Sequence, residues 1–360
     1  MAISQKKKIL SIIIAVCMFV IACGYCGGQT AYAVTNNRGI ALVDAETGML
    51  IYGENPDAVK EMASTTKIFT AYFVLEKCKA DEIDMKVPIR IEKEWTGIEG
   101  SSIYLTEGEM VSIEELLYGL MLRSGNDSAV ALAEIVFGSV ENYVAYANNR
   151  LCEMGYKNTA LQNPHGLPAE NHHTTARELA LFSATAMKDC DFAKIVSSKT
   201  YSGARTLYAN KNKILQNVEG GNGIKTGYTK SAGRCLVSGA ERDGHQIVLA
   251  TLNTYDMFER SKAHIDSFFQ NYEYVDISKT LKENAVPVEI LGVTAEITTK
   301  DNILAVPIPK GEKAEIKVKT IKSLPFYAKS GTICGELEVY VKNCLIFSQK
   351  LYTKETINVI

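Results

Sequence analysis

Strand-like segments stand near both ends of the first 270 or so residues, and helical segments fill the middle. Residues 39–43 and 49–52 flank the turn Ala45-Glu46-Thr47-Gly48 and predict an antiparallel hairpin. Much later, a short strand is expected at 224–227. Residues 234–240 and 245–253 then flank Glu241-Arg242-Asp243-Gly244, a hairpin turn. Strands at both ends of a helical stretch predict one mostly antiparallel sheet, assembled from the two ends, with a helical lobe inserted.

The helices have separate signals. From Ser64 to about Lys77 the chain is apolar on nearly every face (Ile68, Phe69, Tyr72, Val74, Leu75), as in a buried helix. Ser112-Ile113-Glu114-Glu115 is a capping box opening a helix that ends near Arg123, and Thr175-Ala176-Arg177-Glu178 opens another to about Lys188. Further helices are expected near 128–137, 141–154 and 257–272. Past Tyr274 the texture changes to short alternating or β-branched runs at 286–291, 295–298, 303–308, 314–321, 333–341 and 345–352. They predict a small all-β domain. The expected division is a signal segment at 1–33, a larger domain at 34–274 and the β domain at 275–360.

The 360 residues are 46% hydrophobic and 22% charged with a net charge of −2, which suits a globular chain and gives no basic footprint for nucleic acid. Lys6, Lys7 and Lys8 precede an apolar run, and Ala31-Tyr32-Ala33 is a small-x-small cleavage site. This reads as a secretory signal, with Val34 the first mature residue. A retained anchor and lipidation at Cys23 are the alternatives. All three put the rest of the chain outside the cytoplasm. Six cysteines follow the leader: Cys78, Cys152, Cys190, Cys235, Cys334 and Cys344. Their spacing matches no metal pattern. A two-residue turn at Lys342-Asn343 would set Cys344 opposite Val341 and Cys334 opposite Leu351, so no bridge is expected there.

Three short words carry chemistry. In Ser64-Thr65-Thr66-Lys67 the first and last residues share a helix face, so Lys67 can reach the Ser64 hydroxyl. Serine needs an adjacent base, and lysine serves only when burial or a nearby cation keeps it neutral. Lys225 could supply that cation. Ser4-Gln5-Lys6-Lys7 repeats the pattern inside the leader, so the spacing alone means little. Ser124-Gly125-Asn126 by itself reads as a helix end followed by an N-cap. Lys225-Thr226-Gly227 is the most specific word: a cation and a hydroxyl for a carboxylate, and a glycine where a ligand backbone must approach. Its bland reading is a solvated lysine at a strand start.

Together and in this order the words resemble those of the penicillin-recognising serine enzymes. The similarity extends to Val43-Asp44-Ala45-Glu46-Thr47-Gly48, to Asn163-Pro164-His165-Gly166-Leu167, to His173-Thr174-Thr175-Ala176-Arg177 and to Gly223 through Gly233. The whole mature chain resembles the low-molecular-mass penicillin-binding proteins that are D-alanyl-D-alanine carboxypeptidases. That resemblance implies an α+β fold. A β-lactamase/DD-peptidase-like domain, its antiparallel sheet covered by helices on both faces with a helical lobe, precedes a small all-β domain. It implies Ser64 as acylated nucleophile, Lys67 as general base and Ser124 as proton shuttle. Asn126, Lys225, Thr226, Gly227 and Tyr228 would bind substrate, with the Ser64 and Tyr228 N–H groups as oxyanion hole. Tyr228 stands where some members carry histidine. Arg260 is a weak candidate for the substrate carboxylate and reads better as a surface arginine. The histidines look incidental. No metal or cofactor is implied.

The expected substrate is a peptidoglycan stem peptide ending in D-Ala-D-Ala, with β-lactams as covalent inhibitors. The enzyme would be secreted or peripherally associated with membrane or wall. A β-lactamase is one rival, but no Glu-x-x-x-Asn word lies between Asn126 and Lys225 to supply a deacylating base. A non-catalytic β-lactam-sensing or wall-binding module is the other, and the intact set of polar residues argues against it.

Overall fold

A computed structural model describes residues 37–289 and 293–358, so the predicted export signal lies outside the described residues. Five strands form the central antiparallel sheet: β1 (Gly39–Asp44), β2 (Leu50–Glu54), β3 (Gly221–Thr229), β4 (Gly233–Arg242) and β5 (His245–Leu252). Their order is β2-β1-β5-β4-β3. The β1–β5 ladder, from Gly39 opposite Leu252 to Asp44 opposite Ile247, joins the two ends as expected. Edge strand β3 has nine residues rather than four. Its ends carry no apolar alternation, yet the ladder with β4 runs from Gly221 to Thr229, with an irregularity at Asn222.

Alternate residues of the strands serve opposite faces. Ala41, Val43, Val237, Val248 and Ala250 join the larger core with helices α1 (Lys67–Ala80), α2 (Asn126–Phe137) and α3 (Ala176–Met187). Ile40, Leu42, Leu236 and Leu249 join a second core with Met257, Ile265 and Phe268 of α4 (Met257–Asn271). The sheet is therefore covered on both faces. Among the described residues no helix is long and apolar enough to cross a membrane.

Both predicted capping residues cap: Ser112 Oγ accepts from Glu115 N at 3.2 Å, and Thr175 Oγ1 from Glu178 N at 3.1 Å. The two glutamates do other work. Glu115 is buried and accepts from Ala204 N (3.0 Å) and Tyr208 OH (3.0 Å), clamping a hairpin of Thr200–Ser202 and Leu207–Ala209 that sequence did not suggest. Glu178 accepts from Asn158 N and Thr159 Oγ1. The helix Cys190–Ser197 was also unforeseen, although Asp189 caps it and Phe192, Ile195 and Val196 give it one apolar stripe.

The C-terminal part is built mainly of β structure, with a four-stranded sheet in the order Ile297–Thr299, Cys344–Thr353, Ile333–Val341, Ala314–Thr320. Leu337, Val339 and Leu351 of the sheet share a core with Ile277 and with Leu281 of the short helix Ser278–Glu283, which was not expected. Cys344 faces Val341 as foreseen, but an irregularity beyond Tyr340–Leu345 shifts the register. Gly335 rather than Cys334 lies opposite Leu351, and Cys334 falls at a second irregularity. A bulge moves register by one residue, and nothing local announces it. The six cysteines of the described residues are all thiols.

Candidate active site

Ser64 sits in a 3-10 turn, Ala63–Thr66, that feeds straight into α1. Two side chains hold the turn: Thr65 Oγ1 donates to Met62 O at 2.6 Å and Thr66 Oγ1 to Ala63 O at 2.8 Å. Ala63 has φ +48°, a left-handed conformation unfavourable for a residue with a Cβ, so the turn is strained immediately before the candidate nucleophile. His172, at 4% exposure, braces it. Its Nδ1 accepts from Gln162 N at 2.9 Å, which leaves the proton on Nε2 to donate to Thr66 Oγ1 at 2.8 Å. Burial, with nearby His173 second, pushes the His172 pKa down to about 4, so the ring is neutral. This corrects the reading of the histidines as incidental.

Lys67 is completely buried, and its Nζ meets three oxygens: Asn126 Oδ1 at 2.6 Å, His165 O at 2.6 Å and Ser64 Oγ at 3.2 Å. Burial holds its pKa well below the usual lysine range, and the charge of Lys225 pushes it further down. A neutral amine has two hydrogens and one lone pair. In that neutral form, with the two short contacts taking the hydrogens, the lone pair would be left for the Ser64 hydroxyl.

The carbonyl of His165 belongs to a tightly braced loop. Asn163 Oδ1 accepts from Gly166 N at 2.7 Å, and Pro164 O accepts from Thr70 Oγ1 of α1 at 2.7 Å. Gly166 has φ +89°, and a Cβ there would come 2.0 Å from Ala63 O. The loop therefore lies directly on the Ser64 turn. The acid of this stretch, Glu170, is exposed.

The second word departs from expectation. Ser124 ends the preceding helix in the left-handed conformation (φ +67°), and Gly125, not Asn126, takes the N-cap position. Asn126 is the first residue of α2, so its side chain caps nothing. Oδ1 accepts from Lys67 and Nδ2 donates to Glu99 O at 2.5 Å. Ser124 lines the cleft, and its hydroxyl is not among the partners of Lys67. The neighbouring Asp127 is not among the residues the sequence motifs single out. It is fully buried and accepts from Ser102 Oγ (2.5 Å), Ile103 N (3.1 Å) and Leu105 N (3.1 Å), fixing the loop that brings Ser101 into the cleft. An Asp inside the apolar run Asn126–Phe137 was the available signal.

The third word lies on β3. Lys225 is 2% exposed and donates from Nζ to Thr226 O at 2.9 Å. Burial, then the charge of Lys211, lowers its pKa to about 7. It is not a solvated lysine: it is buried close enough to Lys67 for its charge to lower that pKa. The space left by glycine at 227 is filled by the protein itself, since a Cβ would lie 2.9 Å from Ser64 N and 3.0 Å from Thr65 N. Strand edge and turn meet there because no side chain separates them.

Ser64, Ser124, Thr226, Gly227 and Tyr228 line one cleft of about 700 Å³, together with Lys211, Arg234 and Tyr255, which sequence did not single out. Arg260 is elsewhere, paired with Asp256 at 2.9 Å along α4. Among the described residues no cluster of His, Cys, Asp or Glu could hold a metal ion.

A serine beside a buried lysine whose pKa is held well below the usual range, at an open cleft, is a nucleophile–base pair suited to acyl transfer. The comparisons agree. The sequence profile of the D-alanyl-D-alanine carboxypeptidases matches residues 29–256, and that of the C-terminal domain of penicillin-binding protein 5 matches 279–359. The chain is 28% identical to D-alanyl-D-alanine carboxypeptidase DacF of Bacillus subtilis, over 88% of this chain and 87% of that one. It is 30% identical to DacA of Escherichia coli over 78% of this chain and 72% of that protein. The crystal structure of penicillin binding protein 5 from Haemophilus influenzae superposes with a TM-score of 0.77 at 27% identity, covering 89% of this chain and 97% of that one. The chain belongs to the D-alanyl-D-alanine carboxypeptidase family and is a serine enzyme of that class.

Proposed function

We propose that the enzyme removes the terminal D-alanine of peptidoglycan stem peptides through an acyl-enzyme on Ser64. The observation that carries this is the environment of Lys67: buried, its pKa held down, with two short contacts to Asn126 Oδ1 and His165 O and a third approach to Ser64 Oγ at 3.2 Å. Lys67 takes the hydroxyl proton as Ser64 attacks the penultimate carbonyl. The Ser64 and Tyr228 N–H groups receive the developing oxyanion, and the close approach of Gly227 to the Ser64 turn supports that pairing. Ser124, in the same cleft, passes the proton to the leaving amine. D-Alanine departs, and water releases the shortened peptide. Asn126 orients Lys67, and Thr226 faces the leaving residue.

β-Lactams present the same acyl chemistry and acylate Ser64. A β-lactamase reading is disfavoured because the loop nearest Lys67 offers it a backbone carbonyl, from His165, rather than a carboxylate. The leader at 1–33 exports the chain, which acts at the wall or peripherally at the membrane. Purified protein incubated with labelled penicillin becomes labelled and releases D-alanine from an acyl-D-Ala-D-Ala peptide. Ser64→Ala does neither. Labelling that survives Ser64→Ala would refute the assignment.

A further inference from the structure

In the C-terminal part, strand Ala314–Thr320 passes to strand Ile333–Val341 through a long connection. Its base is closed where Ile321 N donates to Cys334 O at 3.0 Å. Its course is pinned at three further points. Leu324 N donates to Pro287 O at 2.8 Å, Tyr327 and Ala328 pair with Asn358 and Ile357, and Gly331 N donates to Thr353 O at 2.9 Å. Leu324 and Ala328 point into the core of the domain. A loop tied in this way holds its outward side chains in place, so that little freedom is lost when they meet a partner.

Those outward side chains are apolar. Ile321, Phe326, Tyr327 and Ile333 are each between 42% and 60% exposed. Strand alternation turns Ile333 away from the core: it stands opposite Tyr352, while Leu351 and Thr353 on either side are buried. Single exposed apolar residues are ordinary, but four on one closed loop form a patch that calls for a partner.

The charges indicate which. Residues 321–334 contain Lys322 and Lys329 and no acid. Both lysines are exposed, and neither has an ion-pair partner among the described residues. Lys319, Lys350 and Lys354 close by are instead paired, with Glu338, Glu336 and Glu296. A hollow of about 350 Å³ beside the loop is lined by Ser330, Thr353, Tyr352, Lys354 and the unpaired Lys300. The adjoining segments add two exposed acids, Glu289 and Glu355, which leaves this end of the domain with an excess of free cations. Aromatic and aliphatic side chains ringed by free lysines match the interfacial layer of an anionic bilayer. There the rings sit at headgroup level, and lysine stems lie along apolar surface while their ammonium groups reach lipid phosphates.

Building on the reading that the enzyme works outside the cytoplasm at the membrane periphery, we infer that the 321–333 loop is a membrane-docking surface. Ile321, Phe326, Tyr327 and Ile333 enter the interfacial layer, and Lys322, Lys329 and Lys300 meet the phosphates of anionic lipids. The contacts that tie the β part to the catalytic sheet, Tyr274 with Asp44 and Leu304 with Glu46, lie elsewhere, so docking leaves them in place.

The test is co-sedimentation of the chain from Val34 onward with vesicles of phosphatidylcholine alone and with vesicles containing about one-third phosphatidylglycerol. Wild type should partition onto the anionic vesicles and come off as salt rises. Phe326→Ser combined with Ile333→Ser, and Lys322→Glu combined with Lys329→Glu, should each lower the partition coefficient about 10-fold or more. Penicillin labelling of Ser64 and D-alanine release from a soluble peptide should stay at wild-type level in both variants, showing that they are folded. Absence of wild-type binding, equal binding to both vesicles, or loop variants that bind like wild type would each overturn the inference and leave the carboxypeptidase reading intact. So would a self-associated species that the loop variants dissolve without any vesicle binding, because the occupant would then be a second copy. A wild type that takes no penicillin label refutes the carboxypeptidase reading and leaves a positive vesicle result standing.

Discussion

At the scale of single residues the decisive quantity is the protonation of Lys67. Burial is the larger cause of its lowered pKa and Lys225 the second. Only the neutral amine can take a proton from Ser64, so acylation rises with pH through the Lys67 pKa. Lys225→Met removes the second cause and leaves the first. The Lys67 pKa should rise but stay below that of a free lysine, moving the acid limb of the acylation rate to higher pH. A pH profile of the second-order rate with a labelled penicillin measures this, and an unmoved limb would mean that Lys225 exerts no field on Lys67. A second expectation concerns Asn126, whose Oδ1 takes one of the two amine hydrogens. Asn126→Ala leaves that hydrogen without a partner and frees the amine to turn from Ser64. Acylation should fall at least about 10-fold, in keeping with the loss of one hydrogen bond to a charged or strongly polarised group. Stopped-flow labelling would check it.

At the scale of elements, the Ser64 turn is held by pieces distant in sequence: the 163–167 loop, His172 and the edge of β3. Gly166→Ala combines a left-handed φ with a Cβ 2.0 Å from Ala63 O, so either the loop or the turn must move. We expect a stability loss of more than about 1 kcal/mol, together with slowed acylation, because the displaced carbonyl of His165 also holds Lys67. Thermal unfolding and penicillin labelling read the two effects separately. The elements themselves were legible to differing degrees. The helix from Lys67, the two capped helices and the strands with apolar alternation announce themselves, since periodicity and caps are local signals. The hairpin at 200–209 does not, because a buried glutamate from another helix holds it. Nor do the polar ends of β3, which exist because β4 lies beside them.

For the whole molecule the question is how the C-terminal β part stays attached. Strand Tyr272–Asp276 follows α4 without a break and pairs with Ala305–Pro309. Tyr274 OH donates to Asp44 Oδ2 of β1 at 2.5 Å, and the Tyr274 ring stacks on His245 with centroids 3.4 Å apart. Glu46 Oε1 accepts from Leu304 N at 3.0 Å. Asp44 is fully buried, and burial together with that carboxylate raises the Tyr274 pKa. Tyr274→Phe keeps the stacking and removes one donor from a buried carboxylate. It should cost about 1–3 kcal/mol in urea unfolding while leaving Ser64 acylation unchanged, since β1 and the cleft strand β3 lie apart in the sheet. A large fall in acylation would show that this contact shapes the site.

Residue order along the chain was enough to read the α+β class, the β-rich C-terminal part, and the nucleophile–base spacing of Ser64 and Lys67. Each follows from local period, caps or a one-turn separation, which neighbouring residues set among themselves. Three things required the fold. Asn126 belongs to Lys67 rather than to a helix cap, because α2 begins one residue earlier than its own signals suggest and points that amide across to α1. His172 is a brace, because Thr66 is brought within 2.8 Å of it from 106 positions away. Lys225, the most conspicuous cation of the motif, is buried near Lys67 rather than solvated, while Arg234 is exposed in the cleft. Burial and cross-strand register set the charge state and reach of a side chain, and both depend on contacts between segments far apart in the chain.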